Sequence, residues 1–438
     1  MKISTFYNTD FVDYGSYDNL RKIASVMDGL KNSSRKIIET VIRLNIKNEL
    51  KVSQLSNKMA EHMEYLHGDS SGVVVTLAQN FAGTNNLPLL DRAGNFGTRF
   101  INEASAPRYI YTNGSKELFN LFNKEDSNIL TKQEFEGTEI EPVFLVPSLP
   151  LLLINGSEGV SSGFAQKILP RNLNKVKSYL KNKLNNKGSY YKFEPSFNGF
   201  SGEIKQGENN NQWIIKGKVE KIGAAKVKIT ELPIGYTLKS YIKVLNKLED
   251  DKVINSYKDK SSNNIFKFEV NIPSSVLKTL TTDTLLSRLK LTKTVSENYT
   301  VIDENNKIKV FNNPEEIFNH YYEVKIKYLQ KRKDYIIDNL SQELRYDASK
   351  YLFIKGIIDD TITVNKRKKV DIVKDLDKIK DIIQKDNTYD YLLNMSIASL
   401  TEERMDKLIE LIKEKKKELV KIKAQSLEEL WLDDLEKL

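Results

Sequence analysis

The 438-residue chain has no cysteine and only three histidines, His62, His67 and His320. The first absence removes thiol nucleophiles, disulfide frameworks and cysteine-ligated zinc together, and it suits a reducing cytosol. Three scattered histidines are too few for a histidine-built metal site. Long apolar runs are also missing: the longest, Val143 to Ile154, is short and holds Pro147 and Pro150, so no membrane span is expected. The opening residues MKISTFYNTDFVDYGSYD lack an apolar stretch, which argues against a signal peptide. No fixed-period repeat stands out, which disfavours solenoids and propellers. What the chain does have is charge, with Lys+Arg 68 against Asp+Glu 59 and a net +9. That balance makes a polyanion a plausible partner, although solvated lysine faces give the same sum. The hydrophobic share of 39% is enough to bury a real core.

The character of the sequence changes twice. Residues 1–150 mix short helical patterns with Gly/Asn loops. Residues 151–312 read as α+β, with strand-like WIIKGKV (213–219), KVKITEL (226–232) and NIFKFEVNI (264–272) and a helical segment, YIKVLNKLED (241–250). From Pro314 the chain is long, charged and helical. Tyr321, Tyr328 and Tyr335 recur every seven residues, as do Tyr322, Leu329 and Ile336. A helix over 315–352 would be about 57 Å long at roughly 1.5 Å per residue. A second begins near Thr401, with Met405, Leu408, Ile412, Leu419 and Ile422 in heptad-like spacing and Lys415 interrupting. Two such helices suggest an antiparallel arm with a small helical knob between them.

In the first third, helices over Ser33–Ile46 and Ser53–Leu66 are each expected to be capped by their opening serine. Leu55, Met59, Met63 and Leu66 form one apolar stripe on the second. A helix pair followed by a Gly/Asn-rich loop with strand signals (Ala82–Tyr111) suggests a winged helix-turn-helix. Inside that loop Arg92, Arg99 and Arg108 supply three guanidinium groups near a tyrosine, Tyr109. A tyrosine hydroxyl, with an ordinary pKa of about 10, is a poor nucleophile at neutral pH. It needs nearby positive charge, and cations to stabilise an attacked phosphate. With 21 tyrosines in the chain, packing or surface exposure is the default for any one of them.

Ordered blocks give that pair a context. VMDGLKNSSRK (26–36), KVSQLSNKMAEHMEYLHGDSS (51–71), LAQNFAGTNNLPLL (77–90), GNFGTR (94–99) and APRYIYT (106–112) resemble the cleavage region of type IIA DNA topoisomerases. The resemblance continues through VPSLPLLLINGSEGVSSGFAQKI (146–168), ITELPIGYTLKSYI (229–242), YYEVKIKYLQKRKDYI (321–336), YDYLLNMSIASLTEERMDKL (389–408) and SLEELWLDDLEKL (426–438). It covers nearly the whole chain in colinear order. The pattern is closer to eukaryotic topoisomerase II than to bacterial gyrase A, and in extent it is similar to the medium subunit of T-even-type phage topoisomerases.

The resemblance implies a multidomain α+β fold. A winged-helix cleavage domain would occupy 1–150, an α/β tower-like domain 151–312, and a long antiparallel coiled-coil arm 313–438, with a helical gate knob at about 353–400. It implies Tyr109 as the nucleophile that forms a 5′-phosphotyrosyl link, with Arg108 and Arg35 on phosphate and His67 supporting the transition state. Lys31, Lys36, Gln79 and Asn80 would contact DNA or order the wing. Val160 stands where the family usually has a wedging isoleucine, and Tyr65 and Leu66 stand where it tends to have a second histidine. The family's Toprim metal ligands have no counterpart block in this sequence. Mg²⁺ and ATP are therefore expected to come with an ATPase/Toprim partner subunit. The other expected partners are double-stranded DNA and a second copy of the chain, in a cytoplasmic setting (a bacterial host's, for a phage-encoded chain). A non-enzymatic architectural DNA-binding protein is the rival reading. A tyrosine recombinase fits poorly with a nucleophile in the first quarter of the chain, and a stand-alone nuclease lacks metal carboxylates.

Overall fold

A computed structural model describes residues 3–396 and 399–438. The expected knob, 353–400, thus includes two positions, 397 and 398, outside the described residues. The chain forms two compact units, one of residues 1–325 with 432–438 and one of residues 326–431.

The first unit opens with α1 (Ile3–Asn8) and α2 (Asp10–Lys22). Next come α3 (Asn32–Arg43), β1 (Leu50–Lys51), α4 (Val52–His62) and α5 (Ser71–Ala78). β2 (Leu90–Ala93) and β3 (Tyr111–Gly114) complete a three-stranded sheet of order β1-β3-β2. Ile37, Ile38 and Val41 of α3 meet Val52, Leu55 and Met59 of α4 in a core closed to solvent. Neither helix starts as its serine predicts. Lys31 and Lys51 hold the N-cap positions without side-chain caps, and Ser33 and Ser53 lie inside the first turns. The apolar stripe also stops short. Met63 is buried, but Leu66 is 75% exposed, because α4 ends at His62 and Glu64 turns the backbone to φ 47°.

α6 (Lys116–Leu121), the hairpin β4 (Lys132–Phe135)–β5 (Thr138–Pro142) and α7 (Leu151–Asn155) lead to a second hairpin, β6 (Ser157–Val160)–β7 (Ala165–Ile168). α8 (Leu173–Leu184) follows, then β8 (Glu203–Gln206), β9 (Gln212–Lys216), β10 (Lys218–Gly223), β11 (Lys226–Glu231) and α9 (Leu238–Asp250). The strand expected over 213–219 is therefore two strands, β9 and β10, in different sheets. β12 (Ser256–Asp259) and β13 (Phe268–Asn271) finish an antiparallel sheet β10-β11-β13-β12. Val227, Ile229, Phe268 and Val270 pack it against Tyr241 and Leu245 of α9, the inward alternation expected of a one-face-buried sheet. α10 (Ser274–Thr279), α11 (Thr282–Arg288), β14 (Thr292–Ser296), β15 (Thr300–Ile302) and β16 (Ile308–Val310) close the region, with β14 joining β9 and β8 in a further sheet.

α12 (Pro314–Ile358) is one continuous 45-residue helix that runs through Gly356. α13 (Lys369–Leu376) and α14 (Asp390–Leu393) share a small core with Phe353, Ile362 and Ile382. α15 (Glu402–Ala424) starts at Thr401, whose side chain accepts the Arg404 N–H. Within the second unit α15 runs antiparallel to α12. Lys333 Nζ donates to the Lys423 and Gln425 carbonyls, while Lys415 pairs with Asp347 at 2.7 Å and Glu343 at 2.9 Å. The lysine that interrupts the heptad pattern is thus the one that bonds across the helix pair. The helix expected to begin near Thr401 does not run to the end of the 313–438 arm, because α15 ends at Ala424 and a separate α16 (Leu427–Glu436) follows.

Candidate active site

The segment joining β2 to β3 carries Arg108 and Tyr109, and α4 holds it in place. The first N–H groups of a helix have no intrahelical partner. Here the Val52 N–H donates to the Ile110 carbonyl at 3.0 Å and the Ser53 N–H to the Pro107 carbonyl at 3.3 Å. The Tyr109 N–H closes the turn onto the Ala106 carbonyl at 2.9 Å. That leaves the Tyr109 side chain 66% exposed, with the Arg108 guanidinium carbon 4.9 Å from its ring centroid. The pair offers solvent a phenol with a guanidinium close to its ring.

Gln79, just after α5, holds the other end of the segment. Its Nε2 donates to the Phe96 carbonyl at 2.8 Å and to the Asn102 carbonyl at 3.2 Å. Gly97 lies at φ 87° with the Asn102 carbonyl against it, a conformation and a clearance that exclude a side chain. Asn80 is exposed beside it. Arg92, on β2 opposite Thr112, is also exposed.

The three loop arginines do not converge. Arg99 is buried: it donates to the Leu232 carbonyl at 2.6 Å and pairs with Glu231 at 3.2 Å. Burial lowers its pKa, with Glu231 opposing the shift. It fastens the segment to β11 rather than serving the tyrosine.

Arg35 and Lys36 are likewise largely buried, each being 7% exposed. Arg35 grips the buried Asp28 carboxylate through Nε at 2.6 Å and Nη2 at 3.2 Å, and it also donates to the Leu30 carbonyl. Asp28 takes two further donors, the N–H groups of Leu30 and Leu145. Arg35, expected on phosphate, is held here in an ion pair that shapes the turn before α3. Lys36 Nζ reaches Glu141 at 2.6 Å and the Met63 carbonyl at 2.7 Å, so it pins the end of α4.

Lys31 stands at the N-terminus of α3 and donates to the Glu158 carbonyl at 2.7 Å. Burial lowers its pKa against the opposing charge of Glu158. It lines a cleft of about 720 Å³ with Thr76, Gln79, Lys167 and Lys293. At the tip of the β6–β7 hairpin Val160 is 73% exposed, a bare apolar side chain beside that cleft's β6 wall. His67 lies in the loop between α4 and α5, exposed, with Tyr65 edge-on at 5.5 Å. Its neighbour Asp69 accepts from the Ser56 hydroxyl and from both the hydroxyl and the N–H of Ser71, which anchors the loop to α5. Among the described residues no hydrogen bond joins His67 to Arg108 or Tyr109, and no group of three or more His, Asp or Glu side chains could hold a metal ion.

The sequence model of the DNA gyrase/topoisomerase IV A-subunit family matches residues 21–436. The chain belongs to this family. The type IIA resemblance of the ordered blocks is thereby borne out. This gyrase A-family chain is 33% identical over 447 residues to the mitochondrial DNA topoisomerase 2 of Dictyostelium discoideum, covering 99% of the chain and 34% of that protein. It is 31% identical over 493 residues to DNA topoisomerase 2 of Saccharomyces cerevisiae, again covering 99% and 34%. The crystal structure of the Plasmodium falciparum topoisomerase II DNA-binding, cleavage and re-ligation domain superposes with a TM-score of 0.89 at 32% identity, covering 99% of this chain and 63% of that one. The chain thus spans about a third of the length of these curated relatives, and it shares the mixed α+β multidomain fold. Among the described residues no helix is long and apolar enough to cross a membrane.

Proposed function

We propose that this chain is the DNA cleavage–religation component of an ATP-dependent type II DNA topoisomerase. The observation that carries the reading is the exposed Tyr109 side chain with Arg108 against its ring, held by α4 in a chain of this family. Tyr109 Oη would give up its proton and form a bond to a DNA phosphorus as the bond from that phosphorus to the 3′-oxygen breaks. The departing oxygen takes up a proton and the DNA 5′ end stays on the tyrosine. The new phosphodiester conserves the energy of the old one, so religation is the same step reversed. Arg108 offsets charge on the attacked phosphate, and His67 supports it by donating a hydrogen bond. Lys31 and Asn80 contact the backbone, Gln79 orders the segment bearing the tyrosine, and Val160 wedges into the duplex, with less reach than an isoleucine. Arg35 acts through the Asp28 turn that presents Lys31.

In this reading residues 1–150 work as a winged-helix domain, 151–312 as the tower that supports bent DNA, and 313–438 as a coiled-coil arm whose knob forms an exit gate in a homodimer. The described residues of this chain do not form a metal-holding set. Mg²⁺ and ATP are assigned to an ATPase/Toprim partner, and the assembly to the cytoplasm. The test is ATP-dependent strand passage by the chain with that partner, wild type against Tyr109→Phe. Loss of activity with DNA binding kept within a few-fold supports the reading. Full activity in the variant would remove Tyr109 as the nucleophile, and no activity from wild type with an active partner would favour an architectural DNA-binding protein.

A further inference from the structure

Helix α2 carries a residue that neither the sequence blocks nor the loop chemistry singles out. The Tyr17 hydroxyl lies 2.7 Å from His67 Nε2, across 50 residues of sequence. On its other side, one helical turn along, Arg21 Nη1 is 3.4 Å from the same phenol oxygen, with its guanidinium carbon 5.4 Å from the ring centroid. A guanidinium has donors and no acceptor. Arg21 therefore donates to the phenol oxygen, and the phenol's own hydrogen is free to point at His67 Nε2. A neutral imidazole carries one proton. With Nε2 accepting, that proton would be on Nδ1, and the contact would then hold both the ring's orientation and its tautomer.

Tyr17 is itself held. Asp18 Oδ2 accepts from the Ser162 N–H at 2.8 Å and the Ser162 hydroxyl at 2.9 Å, and Asn19 Oδ1 accepts from the Ser161 hydroxyl at 2.6 Å. The Lys22 carbonyl packs against Gly159 so closely that no side-chain atom fits between them. The turn of α2 that bears Tyr17 is thus seated on the β6–β7 hairpin. Next to the histidine, Leu66 is apolar and cannot offer a hydrogen bond. Among the described residues the hydroxyl that steadies the ring comes from α2.

We propose that Tyr17 is a positioning residue for His67, holding the imidazole in its Nδ1–H form so that this N–H can donate to a phosphate oxygen of the DNA being cut. The proposal rests on the reading that places His67 at the scissile phosphate. The whole chain with ring-¹⁵N-labelled histidine gives only three residues to resolve, and His67→Ala identifies the His67 signals. Wild type should show an unprotonated Nε2 and a protonated Nδ1. In Tyr17→Phe, which keeps the ring and removes the hydroxyl, that preference should be lost. DNA cleavage with the ATPase/Toprim partner should fall roughly tenfold, within the ~100-fold that ångström-scale misplacement can cost, with DNA affinity unchanged. An unaltered tautomer in Tyr17→Phe overturns the proposal, and so does unaltered cleavage once the tautomer has changed. If His67→Ala is impaired while Tyr17→Phe is not, only the positioning role falls. If His67→Ala cleaves like wild type, the role of the histidine fails and the proposal fails with it.

Discussion

Glu297 is where one substitution should have the largest effect that can be worked from bonds. Its carboxylate accepts from the Leu169 N–H at 2.7 Å, from Arg171 Nη1 at 2.6 Å and Nη2 at 2.7 Å, from Trp213 Nε1 at 2.8 Å and from the Tyr299 hydroxyl at 2.9 Å. Both side chains of the Arg171–Glu297 pair are closed to solvent. Burial, reinforced by the Glu297 charge, pushes the Tyr299 phenol far above its usual range, so it stays a donor. Glu297→Gln keeps the shape but leaves the Arg171 charge uncompensated, a loss of about 3–5 kcal/mol for breaking one side of a buried pair. It also turns an amide N–H₂ toward donors, which adds about 1–3 kcal/mol. Against a typical stability of about 5–15 kcal/mol this is a severe loss. Urea unfolding followed by tryptophan fluorescence reads it, since Trp213 belongs to the network. Replacing the pair together, Arg171→Met with Glu297→Leu, should recover only the part due to the uncompensated charge, because the Leu169 N–H, Trp213 Nε1 and the Tyr299 hydroxyl still lose their acceptor. Leu169 directly follows β7, so hydrogen exchange over residues 157–168 should quicken in the single variant. A single-variant loss under about 1 kcal/mol would refute the reasoning.

Three further outcomes are expected. Lys36→Met should cost about 3–5 kcal/mol by stranding the buried Glu141, yet leave the salt dependence of DNA binding unchanged; a slope smaller by about one charge would show that Lys36 reaches phosphate after all. The Ser71 hydroxyl, working against partial burial and helped by the Ser71 N–H and the Ser56 hydroxyl, holds the Asp69 carboxyl below its usual range. A depressed carboxylate stabilises the fold above its unfolded pKa and loses that contribution as pH falls through the folded value. The His67 loop should therefore loosen only below about pH 4, and Asp69→Asn should abolish that pH dependence in hydrogen exchange; loosening near neutrality would contradict the assignment. Gln79→Ala removes both bonds to the Phe96 and Asn102 carbonyls, so proteolysis within residues 94–110 should quicken while α3 to α5 stay protected; an unchanged digestion pattern would remove Gln79 as the tether.

What the sequence made legible was mostly local. Heptad spacing showed the two long helices, and alternation found β11 and its neighbours. Less visible were features set by partners far away along the chain. Arg99 and Arg108 look alike within one loop, but Glu231, distant in sequence, takes the first inward and leaves the second outside. Lys36 reads as a surface lysine until Glu141 folds over it. Ser33 and Ser53 have the chemistry of caps, yet the free N–H groups at the start of α4 are taken by carbonyls of the Tyr109 turn. Leu66 continues an apolar stripe on paper, but the backbone reverses at Glu64 before reaching it. Tyr17 had no signal at all, because its meaning lies in a hydroxyl contact with a loop that only the fold brings near.

The most direct test of the central claim is covalent capture of end-labelled DNA with Mg²⁺ and the ATPase/Toprim partner, comparing wild type with Tyr109→Phe. The expected result is an adduct on the DNA 5′ end that requires the partner and the metal and is absent from the variant. An adduct that persists in Tyr109→Phe, or none from wild type with a partner shown to be bound and active, would contradict it.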